Sequence, residues 1–434
     1  MAIDPEELKK RRQQREQARQ KKAMARRKLM IVLAIAAAVL LVCGAAVLII
    51  LSFRNKDPQA ETPPVQTEQT DPSEQLGQTE TTDLAEPDQK NTVIHLVAAG
   101  DLNVNDTTVE SGGVVYMYQK AFLDVAHLLA DADITVVNFE GGLYGDPFGS
   151  ETASAPQSMM DALADAGVDY VQLANSYSIS DGVSGLRSTI NGVRMAGMEP
   201  LGAYIDNSEY AKSGGYSICE VDGVKVALVA FTKGMDGMAL PMGSENCVNV
   251  LYTDYSSTYQ KVDTEGITRV MDAVAAEKPD ITVVMVHWGS EFNDTISSSQ
   301  KKIVSLLQSE GADAIIGTHP HYVQQMSLDP ETGNFLAYSL GDFFSDASRS
   351  GTEYSVILNL EITKDGKNGQ TTITNYSYTP IFSLVEKGKT ARVVRIREAM
   401  MTYENRYLDS ISKEAYDAMA YALQRIEARI LSGG

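Results

Sequence analysis

Three of the five histidines in this 434-residue chain fall in two short stretches, His287-Trp288-Gly289 and Gly317-Thr318-His319-Pro320-His321. Carboxylates occur in comparable settings, Asp101 in Gly100-Asp101-Leu102-Asn103 and Glu140 in Asn138-Phe139-Glu140. A fifth polar cluster is Asn175-Ser176-Tyr177. Neutral imidazole and ionised carboxylate are the forms that donate lone pairs to a metal. His287, His319, His321, Asp101 and Glu140 therefore make an N/O donor set for one or two divalent transition ions, Mn, Zn or Fe. If the segment around Pro320 is extended, alternation points His319 and His321 to the same side. Taken singly, each residue is equally well explained as a core histidine, a turn residue or a cap. The argument for chemistry is that all five clusters end an apolar run.

Those runs read as strands: TVIHLVAAG, DITVVNF, VDYVQLAN, ITVVMVHWG and DAIIGTH. Helical periodicity separates them, over 116–129, 158–166, 182–196, 267–276 and 300–309. YSICEVDGVKVALVAFT reads as a hairpin turning at Asp222-Gly223. Strands dominate after residue 334, and 412–431 reads as a terminal helix. Alternating helices and apolar strands predict an α/β fold with a buried sheet. Ligand sites in such folds gather beyond the carboxyl ends of strands, which is where the five clusters lie. Trp288, the single tryptophan, reads equally as a wall of that cleft or a ligand contact. Asp342-Phe343-Phe344, after another apolar stretch, reads equally as a site residue or a turn with packed aromatics.

The balance of 57 acidic to 37 basic residues argues against nucleic-acid binding. Its distribution is uneven. Residues 1–28 hold eleven Lys and Arg against four acids. The next 25 residues, 29–53, carry no charge, and as a helix they would exceed the roughly 30 Å hydrocarbon core of a bilayer. A cleaved leader would have a shorter apolar core of about 7–15 residues. The reading is a single transmembrane helix with the basic tail of residues 1–28 in the cytoplasm and everything beyond it extracellular. Residues 54–92 hold five of the fourteen prolines among Gln, Thr and Glu, with few large apolar residues, and read as a disordered acidic stalk. A globular domain over 93–400 and a helical extension over 401–434 follow. Cys219 and Cys247 read equally as a pair or as two free thiols.

The clusters resemble the CapA family, the bacterial capsule-synthesis (poly-γ-glutamate) proteins of the metallophosphatase-like superfamily. The family pattern runs Gly-Asp, Asn-Leu-Glu, Ala-Asn-Asn-His then Asp-x-Gly, His-Trp-Gly-x-Glu, Gly-x-His-Pro-His and Tyr-Ser-Leu-Gly-Asn-Phe. The corresponding stretches here are Gly100-Asp101, Asn138-Phe139-Glu140, Ala174-Asn175-Ser176-Tyr177 with Asp181-Gly182, His287-Trp288-Gly289-Ser290-Glu291, Gly317 to His321, and Tyr338 to Phe343. The resemblance covers about residues 93–365, and more weakly 376–400. It implies a four-layer α/β/β/α sandwich, an N-terminal membrane anchor and a role at the cell surface. It also implies a metal pair with Glu140 bridging. Three positions depart from the pattern. Ser176 stands where the superfamily has a metal-binding Asn, and Tyr177 where it has a His beside the leaving group. Asp342 replaces the final Asn. Asn103 occupies a place where many members carry a metal-binding His, and its amide oxygen is a candidate ligand.

Two functions follow as expectations. One is a metal-dependent phosphoesterase-like or amide hydrolase or transferase, with His287 catalytic and Tyr177 donating to the leaving group. The other is a catalytically degenerate scaffold. The expected partners are an anionic envelope polymer or its precursor and other capsule-synthesis membrane proteins.

Overall fold

The computed structural model describes residues 90–407 and 410–431. In chain order the strands are β1 (Thr92–Asn103), β2 (Ile134–Glu140), β3 (Tyr170–Gln172), β4 (Glu199–Leu201), β5 (Tyr216–Val221), β6 (Val224–Thr232), β7 (Ile281–His287), β8 (Ala314–Thr318), β9 (Met326–Leu328), β10 (Phe335–Ala337), β11 (Asp342–Phe344), β12 (Tyr354–Lys364), β13 (Thr371–Leu384) and β14 (Arg392–Arg395). They form two sheets. The first has the order β14-β13-β12-β1-β2-β3-β4, with β11 pairing the end of β1. The second has the order β5-β6-β7-β8-β10-β9.

The middle of each sheet is parallel: β1 to β4 in the first, and β6, β7, β8 and β10 in the second. Parallel neighbours need crossovers. Helices Gln157–Ala166 and Gly182–Met195 link β2 to β3 and β3 to β4, and bury Met160, Leu163, Ile190 and Val193. β6 shows how the sheets stack. Val226, Leu228 and Ala230 join a core shared with β1 and β2. The alternate residues Ala227, Val229 and Phe231 pack with Ile267 and Met271 of helix Thr264–Ala276 and Ile303 and Leu307 of helix Ser298–Ser309. The layers are therefore helix, sheet, sheet, helix, and central strands buried on both faces read as unbroken apolar runs. Helices Ile396–Glu404 and Lys413–Leu431 complete the chain, the latter packing on β12 and β13.

One sequence expectation changes locally. The helix expected over 116–129 is divided into Gln119–Phe122 and Ala126–Ala130. Tyr116 is left-handed, and the bonds Val125 N–H to Phe122 O and Leu128 N–H to Val125 O span three residues rather than four. Such tight turns still bury Phe122, Val125 and Leu129. The Asp222-Gly223 turn has φ of 49° and 80°, both positive as a two-residue hairpin of this kind requires. Among the described residues no helix is long and apolar enough to cross a membrane. The apolar run 29–53, the basic tail and residues 54–89 of the stalk lie outside the described residues; β1 opens at Thr92.

The end of β1 contains the feature on which the site depends. Ala99 pairs with Val137 and Asp101 with Asn138, so Gly100 is an extra residue in the ladder. A bulge of this kind re-aims the next side chain. Here it lets the Asp101 amide donate to Gly341 O at 3.1 Å. A Cβ on Gly100 would lie 1.8 Å from that same carbonyl, a backbone atom with no room to yield. Gly100→Ala should lower stability by roughly 3 kcal/mol or more, read from denaturant midpoints. A loss under about 0.5 kcal/mol, the size of an ordinary surface substitution, would show that the bulge is not tightly packed.

Candidate metal centre

Strand register assembles the cluster. Asp101 sits beside Asn138 and Asp342, and Asn103 beside Glu140, in the first sheet. His287 sits beside Thr318 and Thr232 in the second. Asp101, Glu140, His287, His319 and His321 are all buried. The imidazole centroids of His287 and His319 are 4.4 Å apart, and those of His319 and His321 are 6.3 Å apart. The structure thus brings these five residues together, from the ends of strands in both sheets.

His319 and His321 do not sit in an extended segment. Their φ angles are 92° and 59°, left-handed values on either side of Pro320. Both rings reach the cluster through a strained turn rather than through strand alternation.

Two groups each offer ligand atoms within 4.8 Å of one another: Asp101, Glu140 and His321, and Glu140, His287 and His319. Glu140 belongs to both. Its Oε1 is 3.4 Å from His287 Nε2 and its Oε2 is 4.0 Å from His321 Nε2. Around them lies a supporting layer. Asn138 Nδ2 donates to Asp101 Oδ1 at 2.6 Å, and the His319 amide donates to Asp101 Oδ2 at 3.0 Å. Asn175 Nδ2 donates to Asn138 Oδ1 at 3.0 Å and to Phe139 O at 2.7 Å. His321 Nδ1 meets Asp342 Oδ1 at 2.7 Å, and Phe292 stacks on the His321 ring at 4.9 Å. A carboxylate accepting from the far nitrogen of an imidazole is the usual way a ligand histidine is oriented.

Electrostatics fit the same use. Burial pushes the Asp101 carboxyl up to about 6, with His321 opposing and Asp342 adding. Burial, then Asp101, holds Glu140 well above the usual carboxylate range, against the pull of His321. Burial keeps His287 and His319 far below ordinary imidazole, hence neutral. Burial also acts downward on His321, but the carboxylates of Asp342, Glu140 and Asp101 outweigh it and hold it well above. Buried carboxylates repelling one another are unfavourable alone and are relieved by a divalent cation. His319 Nδ1 is buried without a hydrogen-bond partner. The donor set fits a divalent transition metal.

The remaining sequence candidates divide. Ser176 reaches the cluster, its Oγ lying 3.2 Å from His287 Nε2. Tyr177 is half-buried and feels Glu140, Glu291, Asp236 and Asp342; burial first, then these carboxylates, raises its hydroxyl pKa, so it stays protonated. Asn103 lies beside Glu140 in the ladder, and its backbone carbonyl accepts from Thr108 Oγ1 at 2.8 Å. Trp288 is fully buried, donates to Tyr338 O at 2.9 Å and stacks on Tyr338, so it braces β7 rather than lining a cleft. Asp342 faces His321 while Phe343 and Phe344 pack on Phe122, so both of its readings hold. Cys219 and Cys247 are not joined to each other by a disulfide.

Sequence reasoning passed over Lys233. It follows the last residue of β6, the same strand-end position as the five clusters. Its Nζ lies 3.0 Å from His319 Nε2 and donates to Gly289 O at 3.0 Å, above the Tyr259 ring.

Two facing sheets thus lie between helical layers, with carboxylates and imidazoles converging from strand ends. The bacterial capsule synthesis family PGA_cap matches residues 95–347, and the chain belongs to that family. It is 28% identical over 213 residues to the capsule biosynthesis protein CapA of Bacillus anthracis, covering 49% of each chain. It is 27% identical over 204 residues to the PGA biosynthesis protein CapA of Bacillus subtilis, covering 47% of this chain and 50% of that one. The chain thus spans about half the length of the curated relatives it matches. Among solved structures it is similar to the calcineurin-like phosphoesterase YfkN of Bacillus subtilis, with 14% identity, a TM-score of 0.41, and coverage of 78% of this chain and 97% of that one. It is also similar to a putative 5'-nucleotidase of Staphylococcus aureus, with 13% identity, a TM-score of 0.43, and coverage of 77% and 58%.

The raised Glu140 carboxyl gives a sign-definite prediction. A carboxyl whose folded pKa exceeds its unfolded value, about 4.3, costs nothing at pH 4. It destabilises progressively as pH rises through the folded value. In chelator-treated protein, Glu140→Gln should therefore raise the melting temperature by roughly 2 °C or more at pH 7.5 and by nothing at pH 4. A metal-free wild type that melts higher than the variant at pH 7.5 would contradict the assignment.

Proposed function

We propose that this chain is a metal-dependent hydrolase or transferase that acts on an anionic envelope polymer, of poly-γ-glutamate type, during its synthesis or attachment. Its carrying observation is the buried convergence of Asp101, Glu140, His287, His319 and His321 in a member of the capsule synthesis family. In this reading the protein is held by the apolar run 29–53, with its globular domain outside the cell, where the polymer and other capsule-synthesis membrane proteins are met. Protease added to wall-stripped cells should digest that domain; full protection would exclude the topology.

Asp101, Glu140 and His321 would hold a divalent cation, with Glu140 shared toward His287 and His319. Such an ion polarises the oxygen of the scissile group and supplies hydroxide near neutral pH. The chain's own residues do the rest. The Tyr177 hydroxyl, kept protonated by burial and neighbouring carboxylates, donates a hydrogen bond to the leaving group. His287 is held between Ser176 Oγ and Thr318 Oγ1, the latter at 3.1 Å, so its ring is fixed against Glu140. The half-buried Lys233 and the exposed Arg349, which lies 3.9 Å over Phe292, place positive charge beside the cluster. In a chain of net charge −20 such local cations are what would receive a polyanion.

The second reading, a binding protein without turnover, draws on Ser176 and Tyr177, which lack the amide ligand and titratable imidazole of the family pattern. Poly-γ-glutamate incubated with the purified full-length chain and manganese separates the two. The hydrolase reading expects shortened or newly ended polymer, abolished by chelator and reduced at least 100-fold by Asp101→Asn, on the scale of a lost catalytic group. Retention of polymer on the protein with unchanged chain length would favour the binding reading.

A further inference from the structure

The two halves of the cluster are not equivalent. His321 has a carboxylate on Nδ1: Asp342 Oδ1 at 2.7 Å. An ionised carboxylate only accepts, so Nδ1 keeps its proton and Nε2, which faces Glu140, is the nitrogen that would give up a proton to an ion. That is the orientation a metal ligand requires. The Asn of the family pattern would hold the ring less firmly than the charged Asp342 found here.

His319 has the opposite neighbour. Lys233 Nζ approaches its Nε2 at 3.0 Å. An ammonium carries three donors and no acceptor, so Nε2 must accept and the ring proton lies on Nδ1. With one nitrogen engaged by lysine and the other protonated, His319 has no lone pair left for an ion. The Lys233 side chain is anchored in this position by Gly289 O at 3.0 Å and by the Tyr259 face at 5.0 Å. The triad of Glu140, His287 and His319 is then reduced to two donors, with only the Ser176 hydroxyl beside His287.

We infer that this chain holds one tightly bound divalent cation, at Asp101, Glu140 and His321, and that the Lys233 ammonium stands in for a second. The inference rests on the cluster being a metal site, and goes beyond it in assigning stoichiometry and a role to Lys233. One fixed positive charge replaces one exchangeable ion, so the His319 side of the cluster is charged without a metal.

The test counts metal rather than turnover. The full-length chain is loaded with manganese, freed of excess, and measured by elemental analysis and by electron paramagnetic resonance. Wild type should retain about one ion per chain, with an uncoupled spectrum. Lys233→Met should retain about two, spin-coupled, with the second bound at least roughly tenfold tighter than in wild type. His319→Ala and His321→Ala provide an arm that does not depend on the folding of Lys233→Met, each checked by circular dichroism. His319→Ala should leave the single ion's affinity within about threefold, whereas His321→Ala should weaken it by roughly 10–100-fold or more. Two ions in wild type, or equal losses in the two histidine variants, would overturn the inference while leaving the metal site intact. No retained metal in any form would instead remove the metal-site reading on which it rests.

Discussion

Everything at this site depends on how the Asp101 carboxylate is held. One oxygen accepts from Asn138 in the first sheet, and the other accepts from the His319 amide beyond the second. A single buried carboxylate thus ties together the carboxyl ends of the two sheets. The Gly100 bulge aims Asp101 at this junction, and the glycine is required because a Cβ would enter the Gly341 carbonyl. The left-handed backbone at His319 is the counterpart on the other sheet. Without the strained turn, its amide and its ring would not both face the first sheet.

This arrangement concentrates charge where water is excluded. Asp101, Glu140 and Asp342 lie together around His321, and all four are buried. Such clusters are weak contributors to stability, because desolvation opposes the mutual attraction. They are common where a ligand or a reaction needs prearranged charge. The apolar strands on either side supply the rigidity that makes the arrangement tolerable. β2, β7 and β8 are buried along their whole length, and Trp288 locks β7 to Tyr338.

The central apolar strands and the positions of the metal-ligand types were legible in the sequence because each depends on local pattern. Apolar runs buried on both faces announce central parallel strands, and a polar residue immediately after such a run announces the strand's carboxyl end. What escaped depends on distant neighbours. Lys233 obeys the same strand-end rule, but a lone lysine after a hairpin gives no sign that His319, 86 residues later, will meet it. Asn138 read as part of a motif, yet its role as the hinge between Asp101 and Asn175 arises only from register. The extended geometry expected around Pro320 failed because alternation assumes a strand, and β8 ends at Thr318.

The central claim is that Asp101, Glu140 and His321 form a working metal site in a member of the capsule synthesis family. Anomalous diffraction at the zinc edge, from crystals grown with zinc, tests it most directly. The account predicts a peak about 2.0–2.2 Å from a carboxylate oxygen of Asp101, one of Glu140 and Nε2 of His321. Zinc bound elsewhere on the chain, with no anomalous density among these three residues, would contradict it.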